Sequence, residues 1–363
     1  MHGVEVLVGS GPEEPADHVA SGTHWVDRHF RVMGSTAHVV VLDGNEGHLD
    51  WAQHEAERLE GLWSRFRADS DVARCTRDAG VRSTPVAPET LELVARAIDA
   101  WRATAGRFDP TVLHALESAG YDDTFTVVRD RPQARTVVRS APPGHAAIDV
   151  LVDDLLRGRA APVPGCAGIV LDAEHCTVTL PAGVGLDLGG IGKGAAADLI
   201  AEGLVARGAS GACVSMGGDV RAAGATPGGA PWPIPVEDPF DSHEELGRTL
   251  LTVPVRDAAI VTSTRLIHRW VHDGVPRHHL IDPATGHPAD RGVAAVIVQA
   301  PTASWAESLA KAALVAGVHV GLDLLARHGV AGWVVDDDGR VWATGAADHL
   351  ADGRVDEGLG AVR

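Results

Sequence analysis

The chain has 363 residues, of which 49 are acidic and 31 basic, and its formal net charge at pH 7 is −18. Such a surface repels nucleic acid and anionic membranes, so neither is expected as a partner. No apolar run reaches the length of about 18 residues that a membrane span needs. Residues 1–34 contain no secretory signal or lipoprotein-type cysteine, and the four cysteines form no CxxC pair. We therefore expect a cytoplasmic protein with free thiols.

The first half of the chain is predicted to begin with a leader and to continue in strands and helices. Residues 1–24 are aperiodic and contain Gly, Pro and His, which indicates a poorly ordered segment. Alternating apolar residues predict a strand at 29–42, and apolar residues at helical spacing predict helices at 47–66 and 88–105. Further strands, separated by Gly and Pro clusters, are predicted at 124–128, 146–152 and 168–180.

The second half is predicted to contain more strands than helices. A strand at 184–188, a helix at 193–207 and a strand at 211–216 follow one another, and the Pro, Gly and acidic residues of 225–245 indicate a loop. The other predicted elements are strands at 249–255, 259–263 and 292–300, a hairpin at about 266–281, a helix at 304–316 and a hairpin turn at 336–339. Because most of these elements do not follow βαβ order, the predicted fold class is α+β. We expect one domain at 25–350 and a tail at 351–363.

The strongest local signal is the glycine-rich segment 185–194, which joins a predicted strand to a predicted helix. Glycines allow close approach of a ligand to the backbone, and the free N–H groups and dipole of a helix start favour an anion. Lys193 lies at that start, where a cation destabilises the helix unless a phosphate is bound. The spacing fits neither the Walker A motif nor GxGxxG. An anion-binding loop and a tight turn needed only for packing both remain open.

Three weaker motifs accompany this segment. Residues 215–219 end a predicted strand in Gly-Gly-Asp, which presents bare backbone beside a carboxylate or forms a plain turn. Residues 278–286 place two histidines before an Asp-Pro-x-Thr-Gly turn. On a strand these two rings point to opposite faces, and one of them is either an acid–base group or a structural histidine. Residues 107–111 form a turn at the end of a predicted helix.

Taken in order, these segments resemble the FAD:protein FMN transferase family, also called the ApbE family. The resemblance runs from about Met33 to the 310s. It is carried by Met33-Gly34-Ser35, Phe66-Arg67 with Asp69-Ser70, Phe108-Asp109-Pro110-Thr111-Val112, Leu186–Gly194, Met216–Asp219, Glu237-Asp238-Pro239 and His279–Gly286.

The resemblance implies a fold and an activity. Members of the family bind FAD, hydrolyse its pyrophosphate in a Mg²⁺-dependent step and attach FMN through a phosphoester to a Thr or Ser hydroxyl of a target protein. The implied fold is a T-fold-like α+β assembly, with two lobes of mixed or antiparallel sheet packed with helices and the flavin in the cleft between them. The implied partners are FAD and an acceptor protein, and we expect a monomer or a homodimer.

The resemblance also implies the site residues. His279 would be the base that takes the proton from the acceptor hydroxyl, and it would also contact the cofactor. A hydroxyl is a weak nucleophile, so a base and a nearby cation each lower the barrier. The other implied cofactor-binding residues are Met33, Gly34, Asp109, Pro110, Thr111, Asp187, Gly189, Gly190, Lys193, Gly194, Gly217, Gly218, Asp219, Ser263 and Asp282.

The chain departs from the family at the metal. Family members coordinate Mg²⁺ through a backbone carbonyl of the glycine-rich loop, here Gly192, and through an Asp and a Thr four residues apart on a late helix. Here Glu307 takes the Asp position and Lys311 takes the Thr position. Glu307 is able to bind Mg²⁺, but a protonated lysine is not a ligand. Mg²⁺ is therefore expected, but its requirement stays open.

Two interpretations of this departure remain open. Glu307 and Lys311 form an ordinary helical ion pair of about 0.2–0.5 kcal/mol, which weakens the metal site, or the Lys311 ammonium replaces part of the metal's charge at the pyrophosphate and is catalytic. Two alternative functions follow: an FAD pyrophosphatase that releases FMN and AMP, and an FAD-binding protein with weakened catalysis. Residues 262–266 also differ from the family's Ser-Gly-x-Tyr, although Arg265, His268 and Arg269 supply positive charge there.

Overall fold

The computed structural model describes residues 24–131, 161–241 and 248–347. Within them, eight strands form one antiparallel sheet in the order β1-β2-β6-β7-β10-β15-β16-β17. Its strands are β1 (Trp25–Val32), β2 (Ser35–Leu42), β6 (Gly211–Met216), β7 (Asp219–Gly224), β10 (Ala259–Thr264), β15 (Val293–Ala300), β16 (Ala331–Asp336) and β17 (Val341–Ala343). The smaller strands are β3 (Thr84–Pro85), β4 (Val170–Asp172), β5 (Thr177–Thr179), β8 (Trp232–Glu237), β9 (Thr249–Val255), β11 (Arg269–His272), β12 (Val275–His278), β13 (Ile281–Asp282) and β14 (His287–Pro288).

Helices cover one face of the sheet, and the β8–β9 hairpin covers the other. The helices are α1 (Glu46–Trp63), α2 (Asp71–Asp78), α3 (Pro88–Ala103), α4 (Leu113–Ser118), α5 (Phe125–Arg129), α6 (Gly192–Ala206), α7 (Ala303–Ala316) and α8 (Val318–Arg327). Alternate residues of β2 show the division, since Val39 and Val41 belong to the core under the helices and Val40 and Leu42 to the core under the hairpin. This arrangement of helices on antiparallel sheet confirms the predicted α+β class.

Several predicted elements differ from the structure. The strand predicted at 29–42 is a hairpin, because Met33 and Gly34 adopt φ values of 50° and 70° and turn the chain between β1 and β2. The strand predicted at 124–128 is wrong, because this segment packs on β11 as the short helix α5. The strand predicted at 184–188 is not formed, since this segment pairs with no strand among the described residues.

The loop predicted at 225–245 is wrong in part, because it contains β8. Pro233 and Pro235 lie on the outward face of that strand, and the alternate residues Trp232, Ile234 and Val236 are buried. Helices α2 and α8 were not predicted. The expected leader, the strand at 146–152 and the tail at 351–363 lie outside the described residues, apart from residue 24, and the two-lobe division stays a prediction.

All four cysteines are free. In the described part of the chain, every helix is too short or too polar to cross a lipid bilayer.

A single glycine allows α6 and α7 to approach each other. A Cβ on Gly194 would lie 2.5 Å from the carbonyl carbon of Ala303, and a backbone atom is unable to move aside. We therefore expect Gly194→Ala to lower the free energy of unfolding by about 3 kcal/mol, at the upper end of overpacking effects. Urea unfolding monitored by circular dichroism measures this change.

Gly192→Ala is the matched control, because it lies in the same helical turn. Its added Cβ would lie 3.9 Å from the Trp63 ring, which is an ordinary contact. Alanine should therefore leave stability unchanged or raise it by up to about 1 kcal/mol through helix propensity. Equal losses in the two variants would contradict the packing argument.

Candidate functional site

Two tight turns meet at one end of the main sheet. The pairing of β2 with β6 places Ala37 opposite Met216, so the turn at Met33 and Gly34 lies beside the turn at 217–218. The Gly217 amide donates to the Thr36 carbonyl at 3.0 Å, and both glycines of the 217–218 turn have positive φ. Asp219 follows as the buried first residue of β7. Five predicted site residues are therefore neighbours: Met33, Gly34, Gly217, Gly218 and Asp219.

The glycine-rich loop is fastened by Asp187. One oxygen of this carboxylate accepts from the Gly189 amide at 2.7 Å, and the other lies 3.0 Å from Nε of Arg65, with both side chains buried. A Cβ on Gly190 would lie 3.1 Å from the Phe108 ring and 3.4 Å from Cδ of Lys311. Glycine at this position therefore lets the lysine stem pass close to the loop, and α6 begins two residues later.

Two lysines and two carboxylates form the centre of the site, and we refer to them as the quartet: Lys193, Asp219, Glu307 and Lys311. Lys193 Nζ contacts the Asp219 carboxylate and lies 3.4 Å from Oε1 of Glu307. Lys311 Nζ donates to the same Oε1 at 2.9 Å. The other oxygen, Oε2, accepts from the Gly194 amide at 2.9 Å. Each oxygen of Glu307 is thus engaged by a donor on α6 or α7.

The accessible part of the quartet is cationic. The side chains of Asp219 and Glu307 are 2% and 0% exposed, whereas those of Lys193 and Lys311 are 26% and 16% exposed. Burial opposes ionisation of Glu307, but the two ammonium groups outweigh it and lower the pKa of this carboxyl. Burial raises the pKa of Asp219 to about 6, which leaves it ionised at neutral pH. The quartet therefore holds ammonium groups over buried carboxylates, an arrangement suited to an anion.

The donor set at Glu307 does not fit Mg²⁺. This ion requires about six oxygen ligands in near-octahedral geometry, and both oxygens of Glu307 already accept hydrogen bonds. The lysine that occupies the family's threonine position points its ammonium at the same carboxylate, and the predicted carbonyl ligand, Gly192, lies in the first turn of α6. The expected ion pair between Glu307 and Lys311 is present.

His279 lies in the same site and is neutral at pH 7. It is enclosed beside His268, with the two rings edge to face at 5.0 Å, and its Nδ1 has no hydrogen-bond partner among the described residues. Burial, helped by His268 and by the quartet's lysines, lowers the pKa of His279 well below 6.5. A neutral imidazole with an unoccupied nitrogen is able to accept a proton. His278 points the other way, and its Nε2 lies 3.0 Å from the Ala289 carbonyl oxygen.

An aromatic row leads from the surface to His279, and the sequence prediction missed it. The Tyr121 ring lies 6.0 Å from Phe66 and 6.5 Å from Phe125, and Phe125 packs 4.5 Å from His268. The Arg65 guanidinium stacks over Phe66 and Tyr121 at 4.2 and 4.7 Å. Arg65 therefore packs against this row, whereas Arg67, two residues later, is exposed and lies 3.6 Å from Asp69. These aromatic residues come from separate parts of the sequence, and only Phe66 lies within a segment that carries the family resemblance.

The remaining predicted residues are Asp109, Pro110, Thr111, Ser263 and Asp282. Asp109 accepts from the amide and the hydroxyl of Thr111 at 2.8 and 2.6 Å, and the Pro110 carbonyl accepts from the Asp187 amide at 2.8 Å. These contacts tie the Phe-Asp-Pro-Thr turn to the glycine-rich loop. Ser263 is buried, and its hydroxyl has no partner among the described residues. The Asp282 carboxylate accepts from the Ala284 amide in its own turn at 2.9 Å and from Arg291, nine residues later, at 3.1 Å.

Three histidines with lowered pKa values make the protein sensitive to acid. Burial lowers the pKa of His268 and of His278 to about 4, and the pKa of His279 is lowered as well. Below pH 6.5 the unfolded chain therefore binds more protons than the folded one, and stability should fall by about 1.4 kcal/mol per pH unit for each ring. Asp219, with its raised pKa, offsets one ring below about pH 6.

Urea unfolding at pH 7.5, 6.5 and 5.5 tests this prediction. His268→Phe should keep the aromatic packing and reduce the pH slope by one ring's share. Equal stability at pH 7.5 and 5.5 in the unmodified protein would contradict it.

The comparisons with known proteins agree with this geometry. The model of the ApbE family matches residues 33–334. The chain belongs to the ApbE family. An FAD:protein FMN transferase of Treponema pallidum is 31% identical over 306 residues, covering 81% of this chain and 78% of the relative. A Vibrio cholerae protein of the same name is 28% identical over 324 residues, covering 87% of each chain.

Solved structures show the same fold. The apo flavinyl transferase ApbE of Pseudomonas stutzeri superposes with a TM-score of 0.71 at 26% identity, covering 92% of this chain and 98% of that one. The ApbE protein of Thermotoga maritima superposes with a TM-score of 0.73 at 24% identity, covering 91% and 100%. The family resemblance seen in the sequence is thereby confirmed.

Proposed function

We propose that this ApbE-family protein is an FAD:protein FMN transferase in which lysine ammonium groups take the place of Mg²⁺. The name of its relatives and the ApbE fold support the transferase activity. The observation that carries the proposal is that His279, half-buried and neutral, lies within electrostatic reach of Lys193 and Lys311 of the quartet. The Ser263 hydroxyl and His279 Nδ1 have no partner among the described residues, and together with the glycines at 189, 190 and 217 they fit a ligand that approaches the backbone closely and has polar edges.

In this proposal each group has a defined role. Lys193 and Lys311 hold the FAD diphosphate and neutralise the charge that develops as it is cleaved. His279 takes the proton from a Thr or Ser hydroxyl of the acceptor protein. The hydroxyl oxygen attacks the FMN phosphorus, the bond between this phosphorus and the bridging oxygen breaks, and AMP leaves with the bridging oxygen. The product is a phosphoester between FMN and the acceptor.

The aromatic row is proposed to receive the flavin. Phe66 and Tyr121 offer ring faces, and the Arg65 guanidinium holds both rings in place. Flavin is a flat aromatic ring system and gains about 0.5–1.5 kcal/mol from each such aromatic contact. Met33 and Asp109 remain proposed contacts of the cofactor.

The test first measures FAD binding and then measures whether the FAD diphosphate is cleaved. FAD fluorescence should be quenched on addition of protein, to the same extent with and without Mg²⁺. Incubation with FAD and protein extract of the native host should then release AMP and leave flavin fluorescence on a denatured acceptor band. AMP and FMN without covalent flavin would indicate a pyrophosphatase, binding without AMP release would indicate an FAD-binding protein, and absence of binding would overturn the proposal.

A further inference from the structure

A second group of potential ligands lies on the β1–β2 hairpin. His29 and His38 are cross-strand partners, and Asp27 lies two residues before His29 on the same face of β1. This face is opposite to the helices, because His38 alternates with Val39 of the helix-covered core. Along the strand, His29 is four residues from Met33, or about 13 Å. The group is therefore separate from the flavin site.

The potential ligand atoms of the three side chains lie close together. The two imidazole rings are stacked, with centroids 3.8 Å apart and planes at 10°. His38 Nε2 lies 3.2 Å from Oδ2 of Asp27. One nitrogen from each ring and one carboxylate oxygen all lie within 4.8 Å of one another. The hairpin register fixes this geometry, because both strands are paired along their full length.

Burial and charge favour a cation at this point. His38 is buried, whereas Asp27 and His29 are exposed, so the group is anchored in the protein at His38 and open to solvent at the other two residues. Arg28 pairs with Glu46 and Asp50 on α1. Arg31 lies on the same face as Asp27 and His29 and donates to the Thr36 hydroxyl at 3.2 Å. The Asp27 carboxylate supplies negative charge to the group.

We propose that Asp27, His29 and His38 form a binding site for a divalent transition-metal ion, with Zn²⁺ as the best match. Two imidazole nitrogens and one carboxylate oxygen are a donor set that Zn²⁺ prefers, and a water molecule completes four-coordination. Binding requires the exposed His29 ring to turn out of the stack, replaces the contact between His38 and Asp27 with two metal–ligand bonds, and links the edge strand β1 to β2. The proposal does not rest on the transferase activity.

The experiment compares Zn²⁺ uptake by the full chain and by His29→Ala. His29 is the residue to change because it is exposed, so its loss should leave the fold intact. In competition with a chromogenic chelator, the unmodified protein should bind one more Zn²⁺ than the variant, or bind it about 100-fold more tightly. His54→Ala, which removes another exposed histidine on α1, is the matched control and should bind as the unmodified protein does.

A second readout separates a metal site from a stacked histidine pair. Zn²⁺ should raise the melting temperature of the unmodified protein and of His54→Ala but leave that of His29→Ala unchanged, since a ligand stabilises only the fold that binds it. Co²⁺ at the site should give the visible absorption of a four-coordinate ion, and this absorption should disappear in Asp27→Asn. Equal Zn²⁺ stoichiometry and affinity in the unmodified protein and His29→Ala would overturn the proposal.

Discussion

Replacing His279 by alanine should lower the rate of FMN transfer by about 100- to 10,000-fold, the usual contribution of a general base. FAD should still bind, because the glycine-rich loop and the quartet are unchanged. The reason lies in the geometry: His279 is the half-buried neutral imidazole whose buried Nδ1 has no partner among the described residues. Single-turnover measurements of AMP release and of covalent flavin check the result.

His278→Gln is the control for this prediction. His278 is adjacent in sequence but faces the Ala289 carbonyl, so its replacement should affect stability and leave the rate of transfer near that of the unmodified protein. The pH profile adds a second check, since the lowered pKa of His279 keeps the ring neutral well below pH 6.5. If His279→Ala transferred FMN at an unreduced rate, His279 would not be the base that accepts the proton.

The double variant with Glu307→Asp and Lys311→Thr should make transfer dependent on Mg²⁺. These changes restore the ligand pair of the family pattern and remove the ammonium group that engages the carboxylate. We expect transfer to fall by about 100-fold or more in excess chelator, as when one stabilising group is removed from a transition state. Adding Mg²⁺ should restore it, and rates measured across a Mg²⁺ titration give the comparison.

Lys311→Met is the matched control for the double variant. It removes the ammonium without supplying a metal ligand, so its transfer should be low both with and without Mg²⁺. It also leaves the buried Glu307 with one lysine fewer, and loss of a partner from a buried ion pair lowers stability by up to about 3–5 kcal/mol. Folding is therefore checked first by circular dichroism. If Lys311→Met depended on Mg²⁺ as strongly as the double variant does, the Mg²⁺ dependence would not come from the restored ligand pair, and the prediction would be wrong.

The sequence predicted those parts of the fold that depend on local patterns. The strands at 211–216, 249–255 and 292–300 carry runs of apolar residues, and the structure contains all three. The hairpin turn at Met33 and Gly34 was missed, because methionine rarely adopts positive φ and gives no turn signal. Helix α5 was missed because its Val and Thr residues favour a strand, and packing on β11 outweighs that preference.

The candidate site was predicted in its composition but not in its contacts. Family resemblance singled out Lys193, Asp219, Glu307 and Lys311 separately, and only the pair on α7 was expected to interact. The contact of Lys193 with Asp219 and Glu307 joins three elements and is invisible to helical or strand periodicity. The stacking of Arg65 on aromatic rings depends likewise on the tertiary fold.

The proposal that lysine ammonium groups take the place of Mg²⁺ is tested most directly by measuring FMN transfer by metal-stripped protein in excess chelator. Covalent flavin on the acceptor and AMP release would be measured against the same protein supplied with Mg²⁺. We expect equal rates, because in the proposed mechanism Lys193 and Lys311 already supply the positive charge at the diphosphate. Transfer that disappears in chelator and returns with Mg²⁺ would contradict it and would show that a metal ion binds despite the lysines around Glu307.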